Sequence, residues 1–311
     1  MKIVALAGGV GGAKLVDGLA QLLLPDDLTI IVNTGDDFEH LGLYICPDVD
    51  TVCYTLAGLA NHGTGWGRHD ETFQALENIQ KLGGPGWFRI GDKDLATHLE
   101  RTRRLHEGQL LSQVTQIFCQ AWGVRHLVLP MSNQPIRTIV NTVEDGELAF
   151  QEYFVHLNCE PKVSSFRFAG IESAAPTPGV LERIEEADAV VFCPSNPWVS
   201  IDPILAVAGF RSALAIKTVL AVSPIIGGRS VKGPAAKMYT ELGIRPSALA
   251  VARHYADLLS GFIMDSVDSD LSRDISIPVT ITHTLMNTRD DRRNLAQDVL
   301  NLIQTLQSSV R

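Results

Sequence analysis

The feature that most constrains the fold is the start of the chain, where a short apolar run meets a cluster of glycines. Residues 2–7 (KIVALA) have the composition of a buried strand, and Gly8, Gly9, Gly11 and Gly12 follow at once. Leucines then recur at helical spacing over the next three turns. A strand, a glycine-rich turn and a helix in this order predict the opening of a parallel α/β sheet.

The same pattern of strand, small-residue loop and helix returns along the chain. Apolar runs at 28–33, 189–194 and 218–223 each end in a polar or glycine-rich loop, and 279–284 resembles a last strand. Residues 290–307 have the periodicity of an amphipathic closing helix. We therefore predict an α/β chain with a Rossmann-like, three-layer arrangement around a parallel sheet.

The middle of the chain interrupts this pattern. Stretches 70–82, 93–107 and 111–122 are helical in pattern, and short strand-like runs dominate 125–168, where we expect antiparallel strands that carry an edge or dimer contact. The predicted organisation is a Rossmann-like core (1–63 and 124–311) with a helical insertion (64–123).

Composition excludes several classes of protein. With 45% apolar and 20% charged residues the chain has globular composition, and it contains no run of about 18 uncharged apolar residues that would span a membrane. The net charge of −9 argues against non-specific binding to nucleic acid. Five cysteines without a Cys-x-x-Cys pair indicate buried thiols in a reducing cytoplasm.

The glycine loop is the first candidate site. Glycines between a strand and a helix let backbone N–H groups approach an anion, and the helix N-terminus adds favourable partial charge. Lys14 adds a full positive charge. The loop matches neither the dinucleotide fingerprint, which needs a third glycine at position 14, nor the P-loop, which needs Ser or Thr after the lysine. We expect a nucleotide phosphate, and the alternative is a tight turn with no ligand.

An acidic cluster follows the second predicted strand. Asp36, Asp37, Glu39, Asp48 and Asp50 lie within 15 residues, at a strand end that faces the ligand crevice of an open α/β sheet. Carboxylates beside a phosphate require a cation, and Mg²⁺ prefers oxygen ligands. We predict metal or substrate contact for Asp36 and Asp50, and an N-cap role for Asp48 at a helix starting with the next residue.

The insertion contributes an arginine flanked by aromatic residues. Arg89 follows Trp87 and Phe88, and a guanidinium in such surroundings can stack on a planar heterocycle or donate to its carbonyl oxygens. Asp92 is a predicted N-cap of the following helix, and Asp94 forms an i,i+4 pair with the histidine four residues on. The alternative for these two aspartates is a solvated or capping role without contact to a ligand.

Two later strand ends add small polar residues suited to a base edge or a phosphate oxygen. They are Ser195, Asn196 and Ser200 after one strand and Ser223, Gly227 and Gly228 after the other, with Lys232 and Lys237 as further positive charges. Because these loops follow parallel strands, we expect them to converge with the glycine loop at one edge of the sheet.

Taken together, the motifs resemble the 2-phospho-L-lactate transferases of deazaflavin coenzyme F-420 biosynthesis. The segments that carry the resemblance are GGVGGAK, VNTGDD, GLYICPDVDTVCYTLAG, GWGRHDETF, WFRIGDKDLATHL, CPSNPWVSIDPIL and SPIIGGRSVKGPAAKM, in the order of that family and spanning most of residues 1–237. One departure is Asp202, which stands where the family pattern has glycine.

The resemblance implies a transferase that needs Mg²⁺. Its GTP-derived diphosphate donor is 2-phospholactate or enolpyruvate phosphate joined to GMP, its acceptor is the deazaflavin FO, and its second product is GMP. It assigns Asp50 and Arg89 to FO, and associates Asp36 with the metal. Asp50 is the candidate for orienting the acceptor hydroxyl. The glycine loop and the loops at Ser195 and Ser223 line the nucleotide side, the insertion covers the acceptor site, and family precedent is a homodimer.

Two other functions remain open. Relatives within the family bind nucleotide sugars as non-catalytic regulators, although the PDVDT and WFRIGDKD segments favour the deazaflavin branch. A nicotinamide-dependent oxidoreductase is disfavoured because the second strand ends in Asn33 and Thr34, where a ribose-binding acid is expected.

Overall fold

The computed structural model describes residues 1–61 and 63–309. Its strands are β1 (Ile3–Ala7), β2 (Leu28–Val32), β3 (Phe38–His40), β4 (Leu43–Ile45), β5 (Leu127–Pro130), β6 (Arg137–Thr142), β7 (Glu147–Ala149), β8 (Val163–Ala169), β9 (Ala189–Phe192), β10 (Val219–Val222), β11 (Ile225–Ile226), β12 (Arg229–Ser230), β13 (Gly261–Asp265) and β14 (Val279–Thr282).

Eleven α-helices are found in the described part of the chain. They are α1 (Gly9–Ala20), α2 (Pro47–Leu56), α3 (Gln74–Lys81), α4 (Asp92–His106), α5 (Leu111–Ala121), α6 (Val180–Glu186), α7 (Asp202–Ala206), α8 (Phe210–Leu214), α9 (Ala235–Glu241), α10 (Ala248–His254) and α11 (Arg289–Ser309). Single π-helical turns at Glu152–His156 and Pro197–Ile201 interrupt the pattern. Within the described ranges, no helix is long and apolar enough to cross a membrane.

Seven strands form the central sheet in the order β14-β13-β10-β9-β1-β2-β5, and all of its pairs are parallel. The direction in which the chain adds strands reverses between β1 and β9. In open parallel sheets this reversal leaves a crevice at the carboxyl ends of the two strands, where ligands bind. The glycine loop after β1 and the Ser195 loop after β9 therefore flank one crevice.

Helices cover both faces of the sheet, which gives the three layers predicted from the sequence. Helices α1, α2, α5 and α11 pack on one face around buried residues such as Leu15, Val52 and Leu295. Helices α6, α8 and α10 pack on the other face with Phe210 and Val251 in the core. The strands are buried on both sides, which explains why they appear in the sequence as continuous apolar runs. The Rossmann-like fold is confirmed.

The antiparallel region differs from its prediction in two places. Strand β5, which we expected to be antiparallel, pairs in parallel with β2 at the edge of the central sheet. The run at 148–157, expected as a strand, is β7 followed by a π-helical turn. The antiparallel sheet that does form has the order β7-β6-β8. Periodicity identifies apolar segments but not their strand partners, and this accounts for the error with β5.

Candidate active site

A single cavity of about 590 Å³ opens at the carboxyl ends of β1, β9 and β10. Three groups of predicted residues line it together: the glycine loop with Lys14, the acids Asp36 and Asp50, and Arg89 from the insertion. Four predicted residues of the later loops line it as well, namely Ser195, Asn196, Ser200 and Ser223, whereas Gly227 and Gly228 do not. Its volume is in the usual range for small-molecule sites. Convergence of these segments on one edge of the sheet is thus observed.

Gly12 lies outside this lining and has a packing role instead. It lies in the first turn of α1, where an added Cβ would approach the Ser195 hydroxyl and the Ala7 side chain. Glycine is therefore needed so that α1 can pack closely against the Ser195 loop. Among the two later lysines, Lys232 reaches the cavity, whereas Lys237 pairs with Glu241 at 2.6 Å and does not line it.

The glycine loop is braced by side chains from two neighbouring segments. The Gly8 N–H donates to Ser195 Oγ at 3.1 Å, and the Gly9 N–H donates to Asp48 Oδ1 at 2.7 Å. Gly9 also has a φ of 62°, which favours glycine. The predicted N-cap role of Asp48 is wrong. Helix α2 begins at Pro47, so Asp48 lies in the first turn of that helix. Its carboxylate accepts a hydrogen bond from the N-terminus of α1 instead.

Asn33 links the acidic cluster to the Ser195 loop. Its amide Nδ2 donates to Asp48 Oδ2 at 2.9 Å, to Asp36 Oδ1 at 3.2 Å and to the Val199 carbonyl at 3.1 Å. Its Oδ1 accepts the Gly35 N–H at 2.8 Å, and the side chain is fully buried. No sequence pattern indicates this role, because an asparagine after a strand is also common in loops.

Burial raises the pKa of two acids in the cluster. Burial raises the pKa of Asp48 to about 6, against its hydrogen bonds from Asn33 and Gly9. Burial also raises the pKa of Asp36 well above its ordinary value, and the nearby charge of Asp48 adds to this effect. A bound cation would offset both causes by stabilising the charged carboxylates. Carboxylate oxygens of this kind fit Mg²⁺.

Asp50 presents one free oxygen in this site. Its Oδ1 accepts a hydrogen bond from Arg101 Nη2, within a buried ion pair. Its Oδ2 is buried, lies 3.8 Å from His98 Nδ1 and has no hydrogen-bond partner among the described residues. Because Asp50 lines the cavity, this unpaired oxygen is a candidate ligand for a cation or acceptor for a hydroxyl group. Asp36 and Asp50 therefore fit the predicted magnesium role, and that role stays a prediction.

A second group of possible metal ligands consists of Asp50, Asp94 and His98, whose ligand atoms lie within 4.8 Å of one another. Arg101 Nη1 lies 3.2 Å from His98 Nδ1, and since arginine can only donate, Nδ1 must accept. A neutral His98 then carries its proton on Nε2, which lies 3.4 Å from Asp94 Oδ2 without forming a hydrogen bond. Because Nδ1 is taken by Arg101, we interpret this group as a polar cluster around Arg101 rather than a metal site.

The insertion places Arg89 at the cavity through a network around α4. The Arg89 guanidinium lies 4.6 Å from the centre of the Phe73 ring, a cation–π contact. Asp92 is not the N-cap of its own helix: its carboxylate accepts the N–H groups of Gln74 and Ala75 and so caps α3. The N-terminus of α4 is capped by Glu71 instead. Capping across segments of the chain is invisible to local sequence rules.

Several cavity residues were not predicted from the sequence. Among them are aromatic and apolar side chains and residues of the loop after β14. They are Trp87, Phe88, Phe150, Phe154, Thr284, Leu285 and Met286. The Met286 carbonyl accepts from Lys14 Nζ at 2.6 Å, and burial followed by repulsion from Arg292 lowers the pKa of Lys14. Trp66, weighed as a flat surface or a core residue, is 44% exposed and lines the cavity.

Arg101 was also missed, although the sequence carries a signal for it. Asp94, His98 and Arg101 are spaced i, i+4 and i+7, which places them on one face of a helix. The segment 101–104 (RTRR) makes this signal hard to recognise, because it contains three arginines that the sequence alone does not distinguish as buried or exposed. Arg101 is 2% exposed, whereas the side chain of Arg103 is 51% exposed.

The cysteines are free thiols, as predicted from the sequence. All five are free, four of them are buried, and Cys159 is partly buried. Asp202, the departure from the family pattern, forms an ion pair with His254 at 2.9 Å and lies outside the cavity lining.

The chain is similar to known proteins both in sequence and in fold. The profile described as "2-phospho-L-lactate transferase CofD" matches residues 3–300. A phosphoenolpyruvate transferase of Streptomyces griseus is 44% identical, over 99% of this chain and 100% of that protein. A 2-phospho-L-lactate transferase of Methanothermobacter thermautotrophicus is 41% identical, over 97% of this chain and 98% of that protein.

A solved structure supports the fold alone. The Bacillus halodurans protein BH3568, of the family UPF0052, superposes with a TM-score of 0.65 at 16% identity, and the match covers 96% of this chain and 98% of that one. The sequence matches go further, because they extend over nearly the whole chain at more than 40% identity. The chain therefore belongs to the 2-phospho-L-lactate transferase family.

Proposed function

We propose that this protein transfers a 2-phospholactate or enolpyruvate phosphate group from a guanosine diphospho-donor to the ribityl hydroxyl of the deazaflavin FO, with release of GMP, in coenzyme F-420 biosynthesis. Family membership supports the transferase class, and relatives named for each of the two groups match at similar identity. The observation that carries the proposal is the single cavity shared by the glycine loop, the acidic cluster and Arg89.

The donor is assigned to the crevice between β1 and β9. Gly8, Gly9 and Gly11 lie there at the N-terminus of α1, whose partial positive charge favours a diphosphate. Lys14 lies on the same wall and adds a full charge. The hydroxyl and amide groups of the two later loops are donors and acceptors for the nucleoside and its phosphates: Ser195, Asn196, Ser200 and Ser223.

The acceptor is assigned to the opposite wall, beneath the insertion. Arg89 provides a planar guanidinium for the ring system and its carbonyl oxygens. Trp87, Phe88 and Phe154 add apolar and aromatic surface against which a tricyclic ring can pack. The free Oδ2 of Asp50 can then accept a hydrogen bond from the ribityl hydroxyl and orient it.

The chemical step exchanges one phosphorus–oxygen bond for another. The hydroxyl oxygen of FO bonds to the donor phosphorus that carries the lactyl or enolpyruvyl group. The bond from this phosphorus to the bridging oxygen breaks, GMP leaves with that oxygen, and the hydroxyl proton is lost. Asp36 and Asp50 would hold Mg²⁺, which supplies charge neutralisation for the diphosphate. The chain itself aligns the reactants and stabilises charge with fixed dipoles.

Mass spectrometry of products tests this proposal. The purified protein is mixed with FO, Mg²⁺ and either guanosine donor, and we expect GMP and a phosphodiester of FO in equal amounts. Chelation with EDTA should stop the reaction, and excess Mg²⁺ should restore it. An Asp50→Asn variant should lose turnover while its circular dichroism spectrum remains that of the folded wild type. Absence of product with both donors would refute the proposal.

Calorimetry distinguishes the transferase from a nucleotide-sugar-binding regulator of the same fold. The transferase should bind FO, and the regulator should bind a UDP-sugar without binding FO. We further propose that the protein is a homodimer, as the family precedent implies. Light scattering coupled to gel filtration should then give twice the chain mass of 33.8 kDa.

A further inference from the structure

Arg101 is a fully buried arginine that joins the insertion to the wall of the cavity. It lies on α4, is 2% exposed, and is among the largest fully buried side chains. It does not itself line the cavity in the described chain. A buried guanidinium is costly unless its donors are paired, so the arrangement of its partners calls for an explanation.

The donors of Arg101 are divided among three acceptors. Nη2 donates to Oδ1 of Asp50 on α2, and Nη1 lies 3.2 Å from His98 Nδ1 and 3.3 Å from the Tyr44 carbonyl. His98 Nε2 lies 3.4 Å from Asp94 Oδ2, and the other oxygen of Asp94 accepts the Tyr54 hydroxyl at 2.7 Å. The guanidinium plane is therefore fixed by groups on both sides.

This arrangement leaves Asp50 with two unlike oxygens. Oδ1 is occupied by Arg101, while Oδ2 is buried without a hydrogen-bond partner in the described ranges, on a residue that lines the cavity. A carboxylate that is free to rotate would exchange its two oxygens. The ion pair with Arg101 prevents this exchange and presents a single oxygen to a ligand.

We propose that Arg101 is a positioning residue for the transfer reaction: it clamps Oδ1 of Asp50 so that Oδ2 alone meets the acceptor hydroxyl. This inference rests on the proposed function, because it takes the ligand of Asp50 to be the hydroxyl of a deazaflavin alcohol. The requirement is for a planar fork of donors. A lysine keeps the charge but, as a point donor, cannot hold Asp50 and His98 together.

Steady-state kinetics of Arg101→Lys provide the first test. We expect kcat to fall about 100-fold, the cost of a small misplacement of a reacting group, while KM for the guanosine donor changes less than about twofold. The matched control is Arg103→Lys, two residues along the same helix, where the arginine is exposed and pairs with Glu100 and Glu107. The control should keep wild-type kcat. A fall in kcat that is equal in the two variants would overturn the inference.

A double-mutant cycle on acceptor affinity separates positioning from a general structural effect. Fluorescence titration with FO measures wild type, Arg101→Lys, Asp50→Asn and the double variant. Arg101→Lys alone should weaken binding about tenfold, and in the Asp50→Asn background it should weaken binding less than about twofold, because its effect passes through Asp50.

The outcomes of these titrations separate the role of Arg101 from the identity of the acceptor. If the wild-type protein binds FO and the losses of affinity in the two single variants add up in the double variant, the role of Arg101 is refuted and the proposed function stays intact. A wild-type protein that binds no FO would refute the proposed acceptor, and this inference with it. Non-additive losses in the cycle support the positioning role.

Discussion

Replacement of Asn33 by aspartate should destabilise the protein, because this amide links the acidic cluster to the Ser195 loop. The substitution keeps the shape and the oxygen that accepts the Gly35 N–H at 2.8 Å. It replaces the amino group with an oxygen that faces the carboxylates of Asp36 and Asp48 and the Val199 carbonyl, at 2.9–3.2 Å.

The magnitude follows from the bonds that are lost. Two of them end on carboxylates, and hydrogen bonds to charged groups contribute about 1.5–3 kcal/mol each, so the loss amounts to about 3–6 kcal/mol. The introduced carboxyl group, once protonated, can restore one such bond, which sets the lower limit at about 1.5 kcal/mol. We thus expect the free energy of unfolding to fall by at least that amount.

Urea denaturation at pH 7 measures this quantity. The matched control is Asn301→Asp on the exposed face of α11, where the side-chain oxygen that accepts from Gln297 is retained. The control should stay within about 0.5 kcal/mol of wild type. If Asn33→Asp also stays within that range, Asn33 does not hold the acidic cluster together and our account of the site geometry is wrong.

Three further substitutions test other parts of the site. In Gly11→Ala the added Cβ would overlap the Pro194 backbone carbonyl, so we expect a loss of about 1–3 kcal/mol in urea denaturation and weaker binding of GDP by calorimetry. Glu71→Ala removes the cap of α4 and should cost about 0.5–2 kcal/mol, and an unchanged denaturation midpoint would contradict the capping role. Arg89→Met should raise KM for FO without raising KM for the donor, and equal changes in both constants would refute its assignment to the acceptor.

The parallel sheet could be predicted because its strands are buried on both faces. Such strands are continuous apolar runs, and the strands at 3–7, 28–32, 189–192 and 219–222 follow this pattern. The strand Gly261–Asp265 escaped prediction: it begins with glycine and ends with aspartate, and it gains its stability from packing between its neighbours in the sheet. Tertiary context outweighs local propensity at such positions.

Convergence of the candidate site was also predictable, since loops after parallel strands meet at one edge of a sheet. What the sequence could not show was the partner of each side chain. Asp48 and Asp92 have the composition and position of local caps, yet each binds the N-terminus of a different helix. Arg101 differs from the two arginines that follow it in the segment 101–104 because its face of the helix is buried. These choices depend on contacts between segments that are distant in the sequence.

The most direct test of the account is a crystal structure of the protein with GDP, Mg²⁺ and FO bound together. The account predicts the diphosphate at the glycine loop, the metal on Asp36 and Asp50, and the deazaflavin ring against Arg89, with its ribityl hydroxyl at Oδ2 of Asp50. A structure in which FO occupies another surface, or in which GDP and FO exclude each other from the cavity, would contradict the central claim that one cavity holds both reactants.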